Sequence, residues 1–319
     1  MEGGAMSSVL YDVPGPRAML RNRILGFATV VVVAGLLAIL LWRLFDTGQF
    51  TASKWQAFTY PNVWMQIGVH TWNTVSAFLV AALGALVLGF ILAIGRLSDH
   101  AWVRVPVTAI VEFLRAVPVL VFMILLFYAM PVLGIRVPSY WAVVIALIAY
   151  NGSVLSEVIR AGVQSLPRGQ SEAGYAIGLR KAGVMRLVLL PQAIRAMLPA
   201  IIAQLVVTLK DTALGFVITY PELLYYARYL GGQANLDNPV IPAMIVVAII
   251  YIGLCLVLSF IAGRVEKRMR RSSKTSMVMG LHHPVGELTD TQLIATQAGA
   301  DGATGAEGGG FAKFPTTKP

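Results

Sequence analysis

Apolar residues cluster into six long stretches along the chain, with shorter polar segments between them. A helix needs about 20 predominantly apolar residues to cross a bilayer core. Residues 24–42, 71–95, 107–131, 138–160, 196–220 and 239–263 are candidates. The first is uncharged and follows Arg17, Arg21 and Arg23. A basic start before an apolar run also fits a signal peptide, but this run is long for a signal core. Arg43-Leu44-Phe45-Asp46 offers no small-residue cleavage site, so a retained helix is expected. Residues 46–70 carry Trp55, Phe58, Tyr60 and Trp64, the aromatic character of a membrane–water interface. The third stretch contains Glu112 and Arg115, the fourth holds Glu157 near its end, and Lys210-Asp211 interrupts the fifth. The predicted fold is an all-α integral membrane protein with six transmembrane helices.

Composition supports lipid as the solvent. Of 319 residues, 57% are hydrophobic and only 13% are charged, against about 25% charged in an ordinary soluble domain. The net charge of +10 raises nucleic acid as a partner. The basic residues instead flank apolar runs, and no aromatic-basic interleaving forms a base-stacking platform.

Placing the N-terminus inside gives seventeen inner Lys and Arg residues and only four outer ones, Arg43, Lys54, Arg136 and Arg228. The positive-inside rule then puts both termini in the cytoplasm. The expected organisation is an inner segment 1–20, a span 21–45, an outer segment 46–70, a transmembrane body 71–265 with an inner loop at 161–195, and a tail 266–319. The tail starts basic and becomes Gly/Ala/Thr-rich, with no apolar period to bury, and is expected to be disordered. His282-His283 has no nearby set of ligands, and no metal site is expected. Cys255 stands alone in an apolar run and reads as a packing residue.

Between the fourth and fifth stretches the chain reads RAGVQSLPRGQSEAGYAIGL over residues 160–179. Pro167 suits a helix start, where its missing N–H costs nothing. Gly178 and Gly183 suit helix ends. The helix between Pro167 and Gly178 has only two or three turns, a length marginal in water by itself. Ala173, Ala176 and Ile177 on it call for something to dock against.

Glu172-Ala173, followed by Gly178, resembles the EAA loop of bacterial ABC-importer permeases. The wider pattern of Gly169, Gln170, Glu172, Ala173, Ala176, Gly178 and Leu179, then Leu190-Pro191-Gln192-Ala193-Ile194-Arg195, is similar to the polar amino acid branch. So are Glu112-x-x-Arg115-x-x-Pro118, Glu157-x-x-Arg160-x-Gly162, Lys210-Asp211-Thr212 and Pro221-Glu222-Leu223-Leu224. Together they cover residues 65–265, and within the branch the chain looks most like glutamate-type permeases.

The resemblance implies a five-helix core plus one extra N-terminal span, multi-pass in the bacterial cytoplasmic membrane. It also implies a second permease subunit, a dimer of ATPase subunits on the inside and an extracytoplasmic amino-acid-binding protein. Gly174 departs from the family, which often has alanine there, and costs about 1 kcal/mol of helix propensity. Docking offsets that cost, or the glycine permits close approach to the ATPase. Arg180-Lys181 replace more usual polar residues and are expected to tune the fit to the ATPase.

No GxxxxGK[ST] loop is present, so the chain lacks the usual phosphate cradle. No cofactor is expected in this chain, with ATP and Mg held by the partner ATPase. Force then arrives through Gly169, Glu172, Ala173, Gly174, Ala176, Gly178 and Leu179, in an alternating-access cycle. Charges within spans usually face a partner or a cavity. Lys210 and Asp211 point about 100° apart on a helix and cannot simply face each other, which makes Glu112, Arg115 and Glu157 their available partners. These five, with Thr212, form either a substrate path for a zwitterion or a structural ion-pair network.

An ion-gradient-driven secondary transporter is the main alternative, since intramembrane carboxylates and lysine can relay protons. It gives no reason for the Glu172 loop. No filter-like sequence suggests a channel, and no HExxH or GxSxG motif suggests an enzyme. A scaffold needs no charges in its spans.

Overall fold

A computed structural model describes residues 15–271, and the elements among them are helical. The tail lies outside the described residues from residue 272 on, with His282-His283 and the stretch expected to be disordered, while residues 266–271 continue helix α11; the start of the N-terminal segment also lies outside. Five described helices are long and apolar enough to cross a membrane, or six if one bent pair is a single span.

Helix α1 (Pro16–Asp46) opens with proline in its first turn, where no N–H is needed. None of its most apolar stretch is buried against the rest of the chain, which agrees with an extra, peripheral span. A short α2 (Ala52–Trp55) and a 3₁₀ turn follow.

Helix α3 (Pro61–Arg96) is the centre of the bundle. Ala77, Ala81, Ala85, Gly89 and Ala93 recur every four residues, and all are buried. Small side chains at this spacing let helices approach closely where lipid removes the hydrophobic drive for association. The stripe meets α6 (Ser139–Gln164): a methyl group on Gly89 would stand 2.8 Å from Leu155 Cβ and 3.0 Å from the Gly152 carbonyl.

The expected third span is not one helix. Helix α4 (Ala101–Ala116) stops at Val117, and α5 (Val119–Ile124) starts after Pro118 and continues through a π turn and a 3₁₀ turn to Leu133. The two halves bend by 94°. Pro118 has no N–H and pushes Val117 into extended backbone (φ −82, ψ 120). Glu112 and Arg115 therefore sit on α4, outside the apolar segment 119–133.

Helix α7 (Arg168–Ala176) is the predicted loop helix, with Pro167 just before it. After it, α8 (Lys181–Gly183), a π turn over Val184–Leu189 and α9 (Leu190–Asp211) run on into a 3₁₀ segment, Thr212–Ile218. The fifth span thus begins well before its apolar run, because a helix does not stop where its hydrophobic stretch does. Gly183, expected to end a helix with a left-handed residue, lies inside this continuous stretch at φ −65 instead.

Helix α10 (Leu223–Gly231) lies between the last two apolar stretches, where hydropathy predicts no element. It packs Leu223, Tyr226 and Leu230 against Val63 and Ile67 of α3 and Val247 of α11 (Val240–Arg271).

Candidate functional site

Three groups of side chains bear on function: the arm formed by α7 and α8, a charge cluster at the arginine-rich end of the bundle, and the polar break in α9.

The arm is closed by local geometry. Gly178 adopts φ +82, open to glycine at no steric cost. Its N–H donates to the Tyr175 carbonyl (2.9 Å), and the Leu179 N–H donates to the Gly174 carbonyl (3.1 Å). These two bonds are a Schellman cap, which satisfies carbonyls the helix end leaves free. Gly174 is buried, and a methyl group there would stand 2.9 Å from Val184 Cγ2. The close approach at this glycine is therefore made to the chain's own π turn.

Glu172, Ala173, Ala176 and Gly178 are exposed, as are Tyr175 (49%) and Ile177 (78%). Gly169 is also exposed, and Leu179 is half-buried. A nine-residue helix carrying apolar groups into the open is a surface made to be covered.

The arm touches the bundle at two polar points. Gln192 donates its amide to Gln170 Oε1 at 3.1 Å. Lys181 pairs with the Asp99 carboxylate, and its Nζ donates to the Leu97 carbonyl at 3.3 Å. The Lys181 hydrogen bond, then its charge with those of His100 and Arg104, holds the Asp99 carboxyl below the usual range.

The charge cluster joins α3, α4 and α6. Arg96 Nη1 donates to Glu157 Oε2 at 2.6 Å, and Nη2 donates to Glu112 Oε1 at 3.3 Å. Arg160 binds the Glu157 carboxylate with both Nε (3.1 Å) and Nη2. Arg115 approaches Glu112 at 3.9 Å. The Arg96 side chain is only 8% exposed, and its Nε is buried without a partner.

Sequence reasoning offers Glu112, Arg115 and Glu157 as partners for Lys210 and Asp211, and that is not so: Glu112 pairs with Arg96 and Arg115, and Glu157 pairs with Arg96 and Arg160. Arg96 closes the second apolar run and reads from sequence only as an inner topology marker. No local signal ties it to residues 16 and 61 positions away.

Lys210 and Asp211 lie at the end of α9, where the α-helix tightens to 3₁₀, and neither forms a salt bridge among the described residues. Asp211 is half-buried and Lys210 is exposed. Lys210 lines a cleft of about 470 Å³ together with Val206, Tyr251, Ile252, Cys255 and Ser259. Tyr251 and Cys255 sit midway along α11, which places Lys210 at the middle of the spans. Thr212 is buried, and its hydroxyl donates to the Leu209 carbonyl at 2.6 Å.

Two further polar arrangements escape a reading of the sequence. Gln204 of α9 donates to Asn151 Oδ1 of α6 at 2.7 Å, an amide pair tying two spans. Glu222, fully buried between the fifth and sixth stretches, caps α10 by accepting from the Leu224 and Tyr225 N–H groups at 2.7 and 2.6 Å. Tyr251 also donates to it at 2.7 Å.

The chain is similar to known proteins over the region that carries these features. Over 232 residues the chain is 39% identical to the glutamate transport system permease protein GluD of Corynebacterium glutamicum, spanning 71% of this chain and 84% of that one. It is 32% identical to a probable glutamine ABC transporter permease protein, GlnP, of Bacillus subtilis, across 62% of this chain and 92% of the relative. Among solved structures, an amino acid ABC transporter with histidines superposes with a TM-score of 0.58 at 27% identity, covering 64% of this chain and 94% of that one. Residues 85–271 match the family of binding-protein-dependent transport system inner membrane components. The match takes in the α4–α5 bend, the charge cluster, the arm and the α9 break, and the chain belongs to that family.

Proposed function

We propose that this chain is the permease subunit of an ATP-driven importer for amino acids of the glutamate type. In this reading it sits in the bacterial cytoplasmic membrane with both termini inside, and α7 docks in a groove of a separate ATPase dimer. A second permease subunit, similar or identical, completes the pathway, and an extracytoplasmic binding protein delivers the substrate. The observation that carries the reading is the exposed, Schellman-capped α7, in a chain that belongs to this family and has no phosphate-binding loop of its own. Glutamate as cargo rests on the likeness to GluD.

The charges in and beside the spans divide between two tasks. Glu112, Arg115 and Glu157 serve structure, held by Arg96 and Arg160. Lys210 serves transport. A charge facing lipid at mid-bilayer costs about 2.5–3.5 kcal/mol, so an exposed lysine there faces a water-filled path or a partner subunit. Its ammonium suits a substrate carboxylate. Asp211 and Thr212, beside it at the helix-to-3₁₀ break, keep that segment polar.

The test is uptake and ATP hydrolysis in vesicles carrying the whole complex, whose other subunits are identified by co-purification and mass spectrometry. Glu172→Ala and Gly178→Asp are expected to abolish substrate-stimulated ATP hydrolysis together with uptake. Wild-type values for both activities in these variants would sink the docking role. Uptake driven by an ion gradient without the ATPase would favour a secondary transporter. Competition of labelled glutamate by glutamine and by arginine ranks the cargo.

A further inference from the structure

Sequence alone offers Arg180 and Lys181 as a matched basic pair facing the ATPase. The structure separates them. Arg180 is exposed and makes no ion pair among the described residues. Lys181 turns back onto the bundle, where it binds the Asp99 carboxylate and the Leu97 carbonyl in the turn between α3 and α4.

The arm behind Lys181 is built to move as one piece. The Schellman cap at Gly178 fixes the turn out of α7, and Gly174 packs on Val184 just beyond α8. Beside Lys181, the arm and the α3–α4 turn line an open cleft of about 380 Å³, with Ile94, Leu97, His100, Ala182 and Met185 in its walls. Leu97 and Met185 also pack against the cluster of Ala93, Ile159 and Leu190, and Lys181 adds the polar contact between the two segments.

The receiving end is equally specific. Leu97 follows Arg96, the buried hub that holds Glu157 of α6 and Glu112 of α4. A shift of the arm that carries Lys181 therefore pulls on the turn adjoining the residue where three helices meet.

We propose that Lys181 is a positioning residue, a latch that carries displacement of the α7–α8 arm through Asp99 and Leu97 to the α3–α4 turn. The inference rests on the docking role of α7 and adds to it a second, intramolecular link. Without the latch, the ATPase still engages α7 and still turns over, but less of its motion reaches the spans.

The experiment measures substrate taken up per ATP hydrolysed by the reconstituted complex. It compares Asp99→Asn, Lys181→Met, the two combined, and the charge-swapped chain carrying Asp99→Lys with Lys181→Asp. Each single change is expected to lower that ratio by up to about fivefold, the most that an exposed ion pair is worth, with ATP hydrolysis retained. The combined variant should be no worse than either single one. Lys181→Arg should keep the ratio, and the swap should recover more than half of the loss.

Single variants that keep the wild-type ratio, losses that multiply in the combined variant, or a swap no better than the singles would overturn the latch. Gly178→Asp separates the two claims. If it fails to uncouple, the docking reading falls. If it uncouples while Asp99 and Lys181 variants do not, only the latch falls.

Discussion

Two sets of charges sit in or beside the spans of this chain, and they are organised in opposite ways. At the arginine-rich end, Arg96, Glu112, Arg115, Glu157 and Arg160 form a connected network in which every member has an opposite charge within 4 Å. In the middle of the bundle, Lys210 and Asp211 have no such partner among the described residues. The first set offsets its desolvation internally, so removing a buried member takes a partner from the others. In the second set Lys210 opens onto a cleft and has unsatisfied capacity to bind. Equal residue types thus give a clamp in one place and a candidate substrate contact in the other.

The comparison breaks most sharply at Arg96. Replacing it with methionine removes the guanidinium that joins Glu157 to Glu112, leaving Glu157 to Arg160 and the exposed Glu112 to Arg115, and should cost about 1.5 kcal/mol, the lower end for hydrogen bonds to a charged group. The thermal midpoint of the purified complex should fall accordingly, and an unchanged midpoint would mean the network is not structural. Lys210→Met should act the other way. Uptake should drop about tenfold, the worth of a hydrogen bond to a charged group, while the thermal midpoint holds or rises. Normal uptake in that variant removes Lys210 from the path. The smallest effect belongs to Arg115, whose contact with Glu112 is long (3.9 Å) and at the rim. Arg115→Ala should cost less than about 1 kcal/mol, measured as a small shift in the same midpoint. A loss as large as that of Arg96→Met would show that the network does not divide into a hub and a rim.

Much of this architecture is legible in the chain itself. The spans stand out because lipid demands long apolar runs, and α7 stands out because Pro167 and Gly178 bracket it with local signals. The break at Pro118 is also written in the sequence. Hydropathy runs straight through it, because hydropathy sums over a window while proline acts at one bond. Helix α10 is hidden for a related reason. Its nine residues are too short to register as a span, and they are held by packing Leu223, Tyr226 and Leu230 on α3 and α11.

Local chemistry and the bilayer thus dictate, from sequence, the number and order of the apolar stretches, the uneven distribution of basic charge between them, and a capped loop helix with exposed apolar residues. Which charge meets which is a matter of tertiary packing. Arg96 reaches Glu157 across 61 positions, and Lys181 reaches Leu97 across 84. Gly174 is small for Val184, inside the same chain. Those pairings depend on how the small-residue stripe of α3 seats on α6. Close packing between helices is set by the shapes of both surfaces at once, which no window along one of them contains.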